Sequence, residues 1–272
     1  MEKSTKYCLS FQLILVAFFT YGQSLNCNVF RLEGDSIKYK ACEKTTETIK
    51  LFYQFDQRFH DGLSEAIKIA PNFDYPYKEQ SVAYLKSGDF ISWKKLIDKS
   101  VELNPKANLA YRAWCRYQFF RDYEGAIQDI EALEKIYPTG YLGYSVNGDY
   151  ELRIAKALCY SATGQKEKAI SIIENQLAKK DHNVGLYDYY QLGVTYFETG
   201  KYDKALENFE KQSKVYDFAE NIYFKSKVSK IRNKDYLDLK SLALKTYDDG
   251  KTMKDGYTHH FNKVYRKQIA EL

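Results

Sequence analysis

Cys27 and Cys42 are the residues of this 272-residue chain whose spacing most directly suggests chemistry, the closure of a disulfide. The stretch between them is symmetric about Gly34-Asp35. A two-residue turn there registers a β-hairpin that pairs Glu33 with Ser36, Leu32 with Ile37, Phe30 with Tyr39 and Cys27 with Cys42. In that register the two cysteine Cα atoms lie about 5.5 Å apart, within disulfide range. Phe30, Leu32, Ile37 and Tyr39 share the other face and are expected to cover the open end of the structure that follows. Free thiols or a metal site are the alternatives, but two cysteines without nearby histidines make a poor metal site.

Other reactive side chains form no pattern. The histidines are His60, His182, His259 and His260, and none has a second ligand at helical spacing. His259 and His260 are adjacent, so on a helix they would point about 100° apart. Asp248-Asp249 reads as solvated charge at a helix end, and Cys115 and Cys159 as small buried hydrophobes. A phosphate-cradling Gly-Lys-Ser/Thr loop, a Gly-x-Ser-x-Gly elbow and a His-Glu-x-x-His helix are all missing from the sequence. A non-catalytic protein without metal or cofactor is the expectation.

A disulfide needs an oxidising compartment, and the N-terminus supplies a route to one. Lys3 and Lys6 precede an apolar run over residues 11–19, with small residues after it, which reads as a secretory signal peptide spanning residues 1–22. The run is shorter than the ~20 apolar residues of a membrane-spanning helix, so no transmembrane segment is expected in the mature chain. Acylation at Cys27 fits poorly, because Ser24-Leu25-Asn26 does not match the small-residue signal for that processing. Export to a periplasm or the extracellular space, in association with a bacterial cell envelope, follows as the expected location. The chain carries a net charge of +5, and removing Lys3 and Lys6 with Glu2 leaves +4, spread along the sequence. The densest basic spots, Lys94-Lys95 and Lys179-Lys180, are isolated pairs, which argues against nucleic acid as a partner.

The elements that must position these groups repeat. A helix, a glycine or its replacement, an aromatic and then a small residue recur as Gly88-Asp89-Phe90 with Trp93, Arg121-Asp122-Tyr123 with Ala126, Gly164-Gln165-Lys166 with Ala169, and Gly200-Lys201-Tyr202 with Ala205. The spacings of 33, 43 and 36 residues lie close to the ~34-residue period of a helix-turn-helix array. In the fourth copy Tyr189, Leu192, Gly193 and Tyr196 lie on one helical face, Gly200 ends that helix, and Tyr202, Ala205, Leu206 and Phe209 belong to the next. Trp93 and Leu239 stand where a small residue is usual, Arg121 and Lys234 where a glycine is, and Lys166 where an aromatic is.

These residues resemble the tetratricopeptide repeat, and the resemblance covers roughly residues 74–217. It implies an all-α fold, an α-α superhelix of antiparallel helix pairs, to which the N-terminal β-hairpin would be appended. The expected organisation is a signal peptide (1–22), the disulfide-closed hairpin (23–43), a capping helical region (44–73), repeats over 74–106, 107–140, 150–182 and 186–219 with a degenerate one over 220–249, and a C-terminal capping helix (250–272). That last helix would present Phe261, Val264, Tyr265 and Ile269 on one face.

Superhelices of this kind bind partners on the concave surface, lined by the first helix of each repeat. Besides its packing stripe, the fourth repeat carries a second apolar stripe of Tyr187, Tyr190, Val194 and Phe197. Equivalent places hold Tyr75, Lys78, Val82 and Leu85, then Tyr111, Cys115 and Phe119, then Ile154 and Leu158, then Phe224, Val228 and Ile231. Aligned, these form an apolar groove suited to an extended or helical protein segment. Tight curvature that buries the same side chains against adjacent repeats is the competing expectation. Lys78 and Arg112 alone do not make a clamp for a peptide carboxylate. Residues 139–149, with Tyr141 and Tyr144, form an insertion between the second and third repeats and are a second candidate surface. The expected function is therefore an exported scaffold for a protein or peptide. An envelope protein that binds a small molecule or glycan is the alternative, and paired exposed aromatics beside Asp, Asn or Gln would mark it.

Overall fold

The computed structural model describes residues 25–254 and 260–272, so the expected signal peptide at 1–22 and His259 lie outside the described residues. The chain divides between Gly88 and Asp89 into two compact units. The expected first repeat, 74–106, is therefore split, its two helices falling on opposite sides of the division.

The N-terminal unit holds α1 (Asn28–Leu32), α2 (Ser36–Leu51), α3 (Gln57–Ile69) and α4 (Asp74–Ser87). No strand occurs among the described residues, and the expected β-hairpin is replaced by the helical turn of α1 and α2. Gly34 takes a left-handed φ of 77°, and the Asp35 carboxylate then accepts the Lys38 backbone N–H and starts α2. An isolated two-stranded hairpin is marginal in water. The sixteen-residue α2 instead buries Ala41, Cys42, Thr45 and Thr48, and it packs along α3. Leu32 and Ile37, expected to cover an apolar end, are 84% and 58% exposed. Phe30 does pack inward, edge-on to Phe73 at 5.1 Å, beside Ala41, Cys42 and Ala70. The bond survives the change of scaffold: Cys27 and Cys42 form a disulfide with Cα atoms 5.5 Å apart. Its 15-residue separation corresponds to about 3 kcal/mol of stabilisation by loop closure. Reduction is expected to raise amide exchange in α1 and the first turns of α2 while leaving residues 150–250 unchanged, read by hydrogen-exchange mass spectrometry.

The C-terminal unit contains α5 (Phe90–Leu103), α6 (Pro105–Cys115), a π-helical turn (Arg116–Phe120), α7 (Tyr123–Ile136), α8 (Leu152–Ala162), α9 (Lys166–Leu177), α10 (Asp188–Glu198), α11 (Tyr202–Val215), α12 (Ala219–Ile231), α13 (Leu237–Asp248) and α14 (Arg266–Ala270). The pairs α6/α7, α8/α9, α10/α11 and α12/α13 pack against each other, and α8, α10 and α12 touch in that order. Within each pair the connecting turn has a left-handed residue, at Arg121, Gly164, Gly200 and Asn233. In the last turn it is Asn233, not Lys234, that takes the place of the glycine, as expected of the residue that best tolerates this conformation after Gly. Ala126, Ala169 and Ala205 are fully buried. None of the helices among the described residues is long and apolar enough to cross a membrane.

Two contacts fix the pairs closely. At the α10/α11 crossing a Cβ on Gly193 would come within 2.5 Å of the Phe209 ring, which is itself fully buried. Gly193→Ala should therefore destabilise by about 1–3 kcal/mol through overpacking, measured by urea unfolding. Between α6 and α7 the Asp129 carboxylate accepts from Arg112 Nε (3.0 Å) and Nη2 (2.6 Å) and pairs with Arg116 Nη1 at 3.0 Å, while Arg112 also reaches Asp98 on α5 at 2.8 Å.

The C-terminal segment departs from expectation. Of residues 250–272 only Arg266–Ala270 is helical among those described. Asn262 has a φ of 57°, and the Phe261 and Asn262 carbonyls accept from side chains of α10 rather than from a helix of their own. Ile269 and Val264 are buried and Tyr265 is half exposed.

Candidate binding groove

The α10 and α12 helices build an aromatic wall. Tyr187 and Tyr190 both meet Phe218 edge-on at 5.3 and 5.0 Å, and Tyr190 continues to Phe224 at 5.9 Å. Phe224 stacks on Phe209 at 5.7 Å and meets Phe197 at 5.3 Å. Burial pushes the Tyr187 hydroxyl up to about 12 and the Tyr190 hydroxyl well above its ordinary range, so both remain proton donors.

Onto this wall the chain lays its own residues 260–264. The Tyr190 hydroxyl donates to the Asn262 carbonyl at 2.6 Å. Gln191, fully buried, donates from Nε2 to the Phe261 carbonyl (3.0 Å) and to the Tyr150 hydroxyl (2.8 Å), and its Oε1 accepts from the Asn262 amide (2.7 Å). The Phe261 ring packs on both Tyr117, in the π-turn, and Tyr123, at the start of α7, with ring centroids 5.7 Å apart in each pair. His260 packs on Tyr187 at 5.1 Å and Tyr150 at 6.4 Å, donates from Nε2 to the Lys254 carbonyl, and lies 3.5 Å from Asp149. At the far end Lys263 pairs with Glu220 at 2.5 Å and donates to the Met253 carbonyl at 2.6 Å. Glu220 is fully buried on α12 and also accepts the Met253 backbone N–H. Burial raises its pKa and the Lys263 ammonium acts against that rise.

The structure brings together Tyr187, Tyr190 and Phe224 of the expected groove, and Phe197 at its edge. Ile154, Leu158, Val194 and Val228 are buried in the helical array, as the competing expectation of tight packing has it. Tyr111 and Phe119 pack on Trp114 at 6.1 and 5.0 Å, and Cys115 and Cys159 are buried thiols outside any disulfide. Tyr75, Lys78 and Val82 belong to the N-terminal unit. There Tyr75 packs 6.1 Å from Phe73 and Lys78 pairs with Glu79. The periodicity reading missed Tyr117, Tyr123, Tyr150, Gln191 and Glu220. A signal was present for two of them: Gln191 and Glu220 interrupt apolar helix faces, and a polar side chain at such a place requires a partner.

The insertion forms a short antiparallel bridge between Tyr144 and Glu151. Tyr141 is exposed and Tyr144 half-buried, their rings 5.9 Å apart at 61°, over a cavity of about 290 Å³ that Arg153, Asp181 and Asn183 also line. The Tyr144 hydroxyl donates to the Asn183 carbonyl at 3.0 Å. Nearby, both His182 nitrogens are engaged, Nε2 with Asp188 at 3.0 Å and Nδ1 with Gln176 at 3.1 Å. Asp188 also accepts the Gly185 N–H, so this buried pair fixes the entry to α10.

A tetratricopeptide-repeat family model matches residues 189–216, which span α10 and α11. Among solved structures the chain is similar to PilW, described as a widely conserved type IV pilus biogenesis factor, with a TM-score of 0.57 at 13% identity, over 77% of this chain and 94% of that one. It is similar to pilF of Pseudomonas aeruginosa, with a TM-score of 0.56 at 11% identity over 79% and 92%. A tetratricopeptide repeat protein from Parabacteroides merdae gives 0.51 at 15% identity over 90% and 93%. Identities this low speak for the fold. No curated protein matches the chain.

Proposed function

We propose that this chain, whose residues 189–216 match a tetratricopeptide-repeat model, is a non-catalytic, exported scaffold that holds a segment of another protein in the groove running from Tyr117 and Tyr123 across α10 to Glu220. One observation carries this reading: the groove already grips a stretch of polypeptide, turned at Phe261-Asn262, by its main chain, through the Tyr190 and Gln191 donors to two successive carbonyls. Donors aimed at backbone carbonyls serve any sequence, while side-chain slots beside them supply selectivity. Export rests on the form of residues 1–22 and on the Cys27–Cys42 bond.

The small-molecule or glycan reading is not favoured. Tyr141 and Tyr144 are tilted at 61° and do not form one stacking plane, and the Tyr144 hydroxyl is engaged with Asn183.

A photo-crosslinking amino acid at Tyr123, at the half-buried edge of the groove, tests the proposal in cells. The expected result is a covalent adduct with an envelope protein, lost when the same group is moved to Ile91, which is 86% exposed. Adducts from Ile91 or Tyr141 with none from Tyr123 would move the binding surface elsewhere.

A further inference from the structure

Given that the groove is a peptide site, we infer that residues 260–263 are an internal copy of its ligand, and that the partner is a polypeptide segment carrying an aromatic residue followed two positions later by lysine or arginine. The groove has three readers for such a segment. Tyr117 and Tyr123 both offer a face to a flat ring, here that of Phe261, and together make the ring slot. Tyr190 and Gln191, both fully buried, bind the carbonyls of the ring-bearing residue and its successor without regard to their side chains. Glu220, also fully buried, receives the ammonium of Lys263.

The last reader sets the selectivity. A carboxylate removed from water is strongly disfavoured without a cation beside it. A segment that displaces residues 260–263 while bringing no positive charge would leave the Glu220 carboxylate with backbone N–H donors and no cation. A segment with Lys or Arg in register restores the pair. The ring slot and the carboxylate thus read two positions, and the main-chain donors between them fix the register.

The internal copy also sets a threshold. It is tethered to α13, and a short tether holds a ligand at an effective concentration of the order of millimolar. A partner must compete with that, so its apparent affinity for the intact chain is lower than for a chain whose own segment has been weakened.

The test uses the full chain and a fluorescein-labelled heptapeptide with the sequence of residues 260–266. Phe261→Ala with Lys263→Ala weakens the internal copy. This variant, with native helicity by circular dichroism, is expected to bind the peptide at least tenfold more tightly than the wild type does. Adding Glu220→Gln should weaken that binding at least tenfold, yet change by less than twofold the binding of a peptide with norleucine in place of its lysine.

Equal binding of a scrambled peptide and the native-order peptide would overturn the aromatic-and-cation rule while leaving the groove as a peptide site. No binding of any peptide at millimolar concentration would overturn both. A second measurement guards against a variant that fails to fold: millimolar peptide added to the wild type should speed exchange of the 260–265 amides at least tenfold, and unchanged exchange would overturn the proposal. A concentration-dependent wild-type dimer held through residues 260–264 would assign the groove to a second copy of the chain, which also overturns it.

Discussion

Asp129→Ala should lower the stability of the C-terminal unit by about 3 kcal/mol, the lower end of the range for removing one partner of a buried ion pair. Asp129 is 4% exposed at its side chain and is the common acceptor for two guanidinium groups. Arg112 meets it as a fork, through Nε and Nη2, and Arg116 approaches from one turn further along α6 and its π-turn. Their side chains are 15% and 17% exposed, so removal of the carboxylate strands positive charge with restricted access to water. Each arginine keeps a second partner, Asp98 for Arg112 and the Gly125 carbonyl for Arg116, and the loss should therefore stay at the low end of the range. At about 3 °C per kcal/mol for a unit of this size, the melting temperature should fall by roughly 10 °C. Asp98→Ala removes a more exposed partner and should cost about 1 kcal/mol or less. Equal losses for the two variants, measured by urea unfolding, would show that the network acts as ordinary surface pairs.

Phe209→Ala should be comparably damaging, at about 3–5 kcal/mol. The ring is fully buried, lies against the Gly193 backbone, stacks on Phe224 and approaches Tyr190 at 6.3 Å. Tyr190 is one of the two donors to the 260–264 segment, so the cavity should be felt there as well. Amide exchange at residues 260–265 is expected to rise more than the global loss of stability accounts for. Phe209→Leu retains most of the volume and should cost less than half as much. A Phe209→Ala variant with unchanged exchange in that segment would mean that the wall and the segment are held independently.

Much of the helical array was legible because its signals are local. The recurring turn residues, the close approach at Gly193 and the small residues at 126, 169 and 205 are each fixed by neighbours within one helix pair. The disulfide was legible for a different reason: the Cys27 and Cys42 spacing closes in either geometry, so the bond was right while the hairpin expected to carry it was not. Alternating Phe30, Leu32, Ile37 and Tyr39 suit a strand, but the Asp35 cap and the long buried face of α2 outweigh them. The groove was half legible. Tyr187, Tyr190 and Phe224 were read as a binding face, yet what covers them comes from 70 residues further along, where Phe261 and Asn262 meet Gln191 and Tyr190. Helical periodicity contains no information about such a contact. It led instead to a capping helix across residues that turn at Phe261-Asn262 against α10.

The π-turn at Arg116–Phe120 keeps the count of residues between α6 and α7. Its Arg116 carbonyl takes the N–H of Arg121, five residues on, where an α-helix would close after four. One surplus residue is thus absorbed inside a helix, and Tyr117 faces Phe261 as a result of that offset. A deletion of Arg116, or of one residue from 118 to 120, would let the helix regain its ordinary winding and turn the tyrosine about 100° relative to α7. Among relatives of this chain, then, length at this one turn should sort proteins that keep an aromatic slot from proteins that lack it, even where overall sequence similarity has faded.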